Sequence, residues 1–265
     1  MSVALKHYPA REKVALFAFS FLFIFSACEK KETELPSCDG VEWSYKGTEG
    51  PAEWEFLCTD YTTCGGERQS PVNINNATPD NSLGSIQLSY QETKLSISNN
   101  GHTLQFTTDA GSSLQLGGQT YNLLQFHTHT HSEHTLNNQD FPMEFHFVHK
   151  NDATGDLAVI GVWVRSGNAN PFIASFVEEL PMEEGSVLIK SDRFTPDILF
   201  PDNLSYYGYE GSLTTPPCSE IVHWRVLENT IELSSQQIAA FEALEHTNAR
   251  PVQDLNGRKL SFFEE

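Results

Sequence analysis

The sequence predicts a mainly β single domain with a few peripheral helices. Three observations carry that expectation. From Trp43 onward the chain consists largely of short β-prone runs broken by turn signals. Only two segments carry a helical start or stripe. The 265 residues contain no Gly/Ser-rich linker, long charge run or internal repeat that would divide them into separate cores.

The elements follow in chain order. Residues 1–27 stand apart: Lys6, Arg11 and Lys13 precede an apolar run from Val14 to Phe25, and Ser26-Ala27 lead into Cys28. That run is too short to span a bilayer and has the order of a signal peptide. A cysteine directly after the small pair looks like a bacterial lipobox, although Phe25 stands where such boxes usually have Leu. Cys28 is therefore expected to carry lipid, with residues 28–42 as an N-terminal tether and the folded domain over 43–265. Strands are expected at 86–90, 94–98, 103–107, 113–116, 123–130, 144–149, 157–164 and 221–226. Turns are expected at Asn100-Gly101, Gly117-Gly118 and Thr154-Gly155-Asp156. The segment 157–164 is nearly all apolar, as in a strand covered on both faces. One helix is expected at 171–180, with Pro171 near its first turn. A second is expected at 234–244, where Ser234 and Gln237 resemble a capping box and Ile238, Phe241 and Leu244 form a stripe.

Charge narrows the partners. With 16 basic and 35 acidic residues the chain carries −19, and more without the basic leader. Such a surface repels nucleic acid and anionic membranes, so the only membrane contact expected is through the lipid. In an exported chain five cysteines ask for disulfides. With Cys28 assigned to lipid, Cys38, Cys58, Cys64 and Cys218 remain, and spacing does not choose among their three pairings.

The segments that carry chemistry are QFHTHTHSEH (125–134) and MEFHFVH (143–149). Side chains alternate between the faces of a strand, so Gln125, His127 and His129 share one face, and Glu144, His146 and Val148 share one face of the next strand. If the strands pair, three imidazoles converge. Three neutral nitrogens with one open position is how catalytic zinc is held. Gln125 and Glu144 are suited to fix the rings from behind. His131, His134 and His149 crowd the same region, so spacing alone leaves open which histidines bind.

Together with RQSPVNI (68–74), NNGH (99–102), LAVIGV (157–162) and GSLTTPPCSE (211–220), these segments resemble the α-class carbonic anhydrases, especially exported bacterial members, over about residues 43–258. The resemblance implies a twisted, mostly antiparallel sheet of about ten strands with Zn2+ at the bottom of a conical cleft. It implies His127, His129 and His146 as the zinc ligands, His134 and His149 as structural residues and His131 as a surface residue. Gln125 and Glu144 match the partners of His127 and His146. The implied activity is that of a zinc lyase: zinc-bound hydroxide attacks CO2 to give bicarbonate and a proton. Thr214 matches the residue that orients the hydroxide and donates to the buried Glu133. Val148, Val159, Leu213, Val222 and Trp224 match the apolar CO2 wall, and Thr215 a bicarbonate contact. His102 matches the proton shuttle, and Tyr45, Asn100 and Gln105 match residues that order its water chain. Cys64 and Cys218 match the disulfide of exported members; Cys38 and Cys58 are left over, and whether they pair stays open. Two residues depart from the pattern: Thr128 replaces an aromatic between two ligands, and Ala249 replaces one before Arg250-Pro251. Catalytically silent relatives typically lack a zinc ligand, whereas all three are present here. An exported zinc hydrolase would need a peptide or phosphate clamp, and nothing in the sequence resembles one, so ester hydrolysis is expected only as a side activity. The expected location is outside the cytoplasm, as a lipoprotein facing the periplasm or cell exterior.

Overall fold

One mixed sheet of 13 strands organises the molecule. In this computed structural model residues 1–2 and 34–265 are described, and residues 35–265 form one unit. The expected leader cleavage and Cys28 lie outside the described residues. The sheet is built on β1 (Thr93–Asn99), β2 (Leu104–Thr107), β3 (Gln119–His129), β4 (Met143–Lys150), β5 (Leu157–Ser166), β6 (Val187–Phe194), β7 (Tyr206–Gly211) and β8 (Val222–Leu227). Across the sheet they run β6-β1-β2-β3-β4-β5-β8-β7, followed by Ser261–Phe263 and Thr78–Pro79. Gln87–Ser89 and Ser113–Leu116 extend the sheet beside β3, and Ile231–Leu233 pairs with β5.

All eight expected strands are present, with ends shifted by a few residues at most. The sheet is mostly antiparallel, as expected, with 13 strands where about ten were expected, and it is mixed: β5 runs parallel to both β8 and Ile231–Leu233, and Ser261–Phe263 runs parallel to Thr78–Pro79. β6 and β7 were not anticipated. β6 alternates exposed and half-buried residues and carries Lys190, Asp192 and Arg193, as a charged edge strand does. β7 contains Gly208 and Gly211, residues that weaken a strand signal.

Alternation explains how the sheet presents a reactive face. On one side Phe106, Phe126, Phe145 and Phe147 are fully buried, and Phe126 stacks on Phe106 at 4.5 Å and on Phe147 at 4.8 Å between centroids. Burying each ring contributes about 1.5–3 kcal/mol, so β2, β3 and β4 are fixed from behind. The other side carries Val148, Val159, Val222 and Trp224. β5 is buried on both faces, as its apolar run predicts. The Gly117-Gly118 turn joins Ser113–Leu116 to β3 with φ of 57° and 76°, values that glycine tolerates without strain.

The helix Ser235–Glu245 begins with the expected capping box of Ser234 and Gln237, and Ile238 and Phe241 are buried. The expected helix at 171–180 is instead one α turn, Pro171–Ala174, followed by a 3-10 turn at Val177–Glu179. Asn170 caps its start, and Pro181 disfavours a helical conformation at Leu180, which is extended at ψ 140°. Two disulfides, Cys38–Cys58 and Cys64–Cys218, close the N-terminal region. They suit an oxidising compartment and hence an exported protein. Among the described residues no helix is long and apolar enough to cross a membrane.

Candidate functional site

β3 and β4 pair antiparallel with His127 directly opposite His146, Gln125 opposite Val148 and His129 opposite Glu144. The parity argument therefore holds: all six residues share one face. One nitrogen from each of His127, His129 and His146 lies within 4.8 Å of the others.

Two of the rings are oriented by hydrogen bonds from outside, and the third has a carboxylate beside it. His127 Nδ1 is 2.9 Å from Gln125 Oε1, and His129 Nδ1 is 2.8 Å from the Asn248 carbonyl. His146 Nε2 lies 3.0 Å from Glu144 Oε1, outside good hydrogen-bond alignment. This arrangement leaves Nε2 of His127, Nε2 of His129 and Nδ1 of His146 for the shared space. Nε2 of His129 is buried and makes no hydrogen bond among the described residues. A buried lone pair without a donor suits a cation. Burial, reinforced by His129 and His146, holds His127 well below the usual histidine pKa, so the neutral form that metal binding requires is favoured. The donor set fits zinc.

A neighbouring cluster of His134, Glu144 and His146 also brings ligand-type atoms together, but both nitrogens of His134 are engaged. Nδ1 is 2.8 Å from Glu144 Oε1, and Nε2 is 2.6 Å from the Tyr209 hydroxyl, which donates to Ser70 Oγ at 2.9 Å. Glu144 Oε2 accepts the backbone N–H groups of Glu133 and His134, each at 2.9 Å. Burial alone would raise the Glu144 pKa, but His134 and His146 hold it well below the carboxylate range. This carboxylate needs room. A Cβ on Gly161 would sit 2.8 Å from Glu144 Oε1, which explains the glycine in LAVIGV.

A cavity of about 100 Å³ opens over the imidazoles, lined by Gln125, His127, His146, Val148, Val159, Leu213, Thr214, Thr215 and Trp224. Val222 is buried in the same apolar cluster as Val148, Val159 and Trp224. The structure thus gathers the expected wall beside the expected ligands. Glu133 lies beneath: Oε1 accepts the Arg250 N–H at 2.9 Å, and Oε2 is 3.4 Å from His129 Nε2 and 3.7 Å from His146 Nδ1. Among the described residues no hydrogen bond links Thr214 to Glu133.

The expected shuttle sits farther out. The His102 ring stacks on Trp43 at 3.8 Å with 8° between planes, and burial lowers its pKa against a smaller opposing pull from Glu184. Asn100 Oδ1 accepts the N–H groups of His102 and Thr103, so it shapes the turn that presents the imidazole. Gln105 pairs with His127 across β2 and β3, which places it on the same face. The Tyr45 hydroxyl is buried without a partner among the described residues. β3 ends at His129, and His131 is exposed 3.4 Å from Asp140, a surface residue as expected. His149 is buried, with Nε2 2.7 Å from the Tyr90 hydroxyl.

Sequence reasoning missed three supporting residues. Asn248 orients His129 through its carbonyl and accepts the Thr130 N–H on Oδ1 at 2.8 Å. Arg250 holds Glu133, and its guanidinium donates to Gln69, Ser70 and the Cys64 carbonyl. Trp43 packs the His102 ring. Their one sequence signal is that Asn248 and Arg250 flank Ala249 just before Pro251.

Comparison with known proteins agrees with this geometry. The family model for eukaryotic-type carbonic anhydrase matches residues 49–263. A carbonic anhydrase of Pectobacterium atrosepticum is 39% identical over 242 residues, covering 91% of this chain and 97% of the relative. One from Pectobacterium carotovorum is 41% identical and covers 83% of this chain and 90% of the relative. Among solved structures, the α-carbonic anhydrase of Thermovibrio ammonificans, in complex with the inhibitor sulfanilamide, superposes with a TM-score of 0.81 at 38% identity, covering 84% of this chain and 99% of the other. On this ground the chain belongs to the eukaryotic-type, or α-class, carbonic anhydrases, a family of enzymes.

Proposed function

We propose that the chain catalyses the reversible hydration of carbon dioxide to bicarbonate and a proton, with zinc held by His127, His129 and His146. The observation that carries this reading is the convergence of three imidazoles, His127 and His129 hydrogen-bonded through their far nitrogens and His129 with its buried Nε2 unpartnered among the described residues, under an apolar cavity of about 100 Å³. Zinc at that position supplies a Lewis acid that lowers the pKa of water, so that a hydroxide nucleophile is available near neutral pH.

The chain's own residues do the rest. Val148, Val159, Leu213 and Trp224 offer an apolar surface that suits a small molecule with no hydrogen to donate. Thr214 lines the same cavity, and its hydroxyl accepts a hydrogen bond from the attacking oxygen and so aims its lone pair. Glu133, fixed by Arg250, is the acceptor toward which the Thr214 hydroxyl turns as the site fills. Thr215 stands beside it to contact bicarbonate. His102, titrating below its ordinary pKa, relays the released proton outward through water ordered by Tyr45, Asn100 and Gln105.

Stopped-flow CO2 hydration with a zinc-stripped control tests this reading. Fast, zinc-dependent turnover is expected; a folded, zinc-loaded protein without turnover would refute it. Sulfanilamide, which inhibits the Thermovibrio relative, is expected to inhibit here by competing at the same cavity. At the N-terminus, we infer a signal peptide over 1–27 and lipid on Cys28. Cys28→Ser should move the protein from the membrane to the soluble fraction, and continued membrane retention would overturn the anchor.

A further inference from the structure

Behind the metal face a buried carboxyl makes contacts that CO2 chemistry does not use. Glu245, the last residue of the helix, places Oε1 2.6 Å from Thr128 Oγ1, 2.8 Å from the Leu104 nitrogen and 3.0 Å from Thr103 Oγ1. Its Oε2 is buried and makes no hydrogen bond among the described residues. Thr103 Oγ1 is also 2.6 Å from the Thr128 carbonyl. These four contacts have only three protons between them when Glu245 is ionised: one from each threonine and one from the Leu104 N–H. Thr103 cannot donate to both the Thr128 carbonyl and Glu245, so a protonated carboxyl completes the set. Burial pushes the Glu245 carboxyl up to about 8, in agreement with that count.

The residues tied together are well placed. Thr128 lies between His127 and His129, and Thr103 directly follows His102. The surroundings of β3 on this face are the apolar rings Phe106, Phe126 and Phe145. At Thr128 the strand is therefore secured by hydrogen bonds where its neighbours are secured by packing. Once Glu245 is removed, the Thr128 hydroxyl and Leu104 N–H lose their carboxyl partner, and on this face Thr128 keeps only the bonds its carbonyl accepts from Thr103 and Asn248 among the described residues.

We propose that Glu245 is a positioning residue for the metal site: through Thr128 and Thr103 its carboxyl fixes the relative setting of His127 and His129 and the turn that presents His102. This inference rests on the reading of the three histidines as metal ligands.

The test uses the full zinc-loaded protein and follows transfer of zinc to a coloured chelator, a readout that needs no CO2. Glu245→Leu and Thr128→Val should each speed zinc release by about tenfold. The double variant should release no faster than either single one, because both remove the same contact. Glu245→Gln should stay within about twofold, since its amide can both accept and donate as a protonated carboxyl does. Thr128→Val conserves volume and serves if Glu245→Leu does not fold. A merely structural role would lower the melting temperature of the zinc-free variants without changing zinc release. Unchanged release in the single variants, or multiplied effects in the double variant, would overturn the proposal. Failure of the unsubstituted protein to take up zinc would overturn the ligand reading itself, and this inference with it.

Discussion

The two disulfides differ sharply in what they constrain, and the difference is measurable. Cys64–Cys218 spans 154 residues of sequence, whereas Cys38–Cys58 spans 20. In the chain-entropy account, closing loops of these sizes in the unfolded ensemble is worth about 5 and about 3 kcal/mol. The loops follow one another without overlapping, so the two effects should add. They should also part company in function. Cys218 follows Thr214 by four residues, and its N–H donates to the Thr215 carbonyl at 2.8 Å. Gln69 donates to the Cys218 carbonyl, and Arg250 to the Cys64 carbonyl. Loosening this corner frees the Thr214 loop, and misplacing a catalytic group by about 1 Å costs up to about 10²-fold. Urea unfolding of Cys64→Ser/Cys218→Ser should show the larger loss of stability, accompanied by a fall in kcat/KM. Cys38→Ser/Cys58→Ser should show the smaller loss with turnover intact. A reversed order of stabilities would refute the loop-length argument. A fully active Cys64→Ser/Cys218→Ser variant would refute the tether.

Three further outcomes are expected. His102→Ala should lower kcat by at least about tenfold at low buffer and leave kcat/KM for CO2 unchanged, with imidazole buffers restoring the rate; loss without rescue would point to collapse of the Trp43 stack. Val159→Phe, at a position only 2% exposed on the cavity wall, should cut kcat/KM by about 10²-fold or more while zinc content holds, and full activity would remove the CO2 site from that wall. His149 is held down at about 4 by burial, against an ordinary 6.5, so between those values the unfolded chain binds more protons than the folded one. Stability must then fall by about 3 kcal/mol as the pH drops through that window. His149→Gln should flatten this slope in urea titrations, and an unchanged slope would assign the acid sensitivity elsewhere.

The three candidate metal ligands were legible because strand parity is a rigid rule: once β3 and β4 pair, His127, His129 and His146 must share a face. His131 required one more fact, the end of β3 at His129. The capping box at Ser234 was readable because both partners lie within one turn. β6 was hidden because Lys190, Asp192 and Arg193 give an edge strand the composition of a loop. Asn248, Arg250 and Glu245 were hidden for another reason. Their contacts reach 117 to 186 residues back along the chain, to Thr128, Glu133 and Cys64, and no local pattern encodes such a meeting.

The anchoring of His129 by the Asn248 carbonyl also sets an order of events. Two of the three proposed ligands, His127 and His129, lie two residues apart, yet the group that aims His129 follows it by 119 residues, near the end of the chain. Gln125 and Glu144 can dress their own imidazoles locally; His129 must wait for the segment after the C-terminal helix to dock. A nascent or partly folded chain therefore offers zinc a loose pair of histidines, and the tight three-nitrogen seat comes into being with the closing of the fold. On the proposed reading of a signal peptide and a zinc site, a chain exported before folding would complete its metal seat, and so load zinc, outside the cytoplasm.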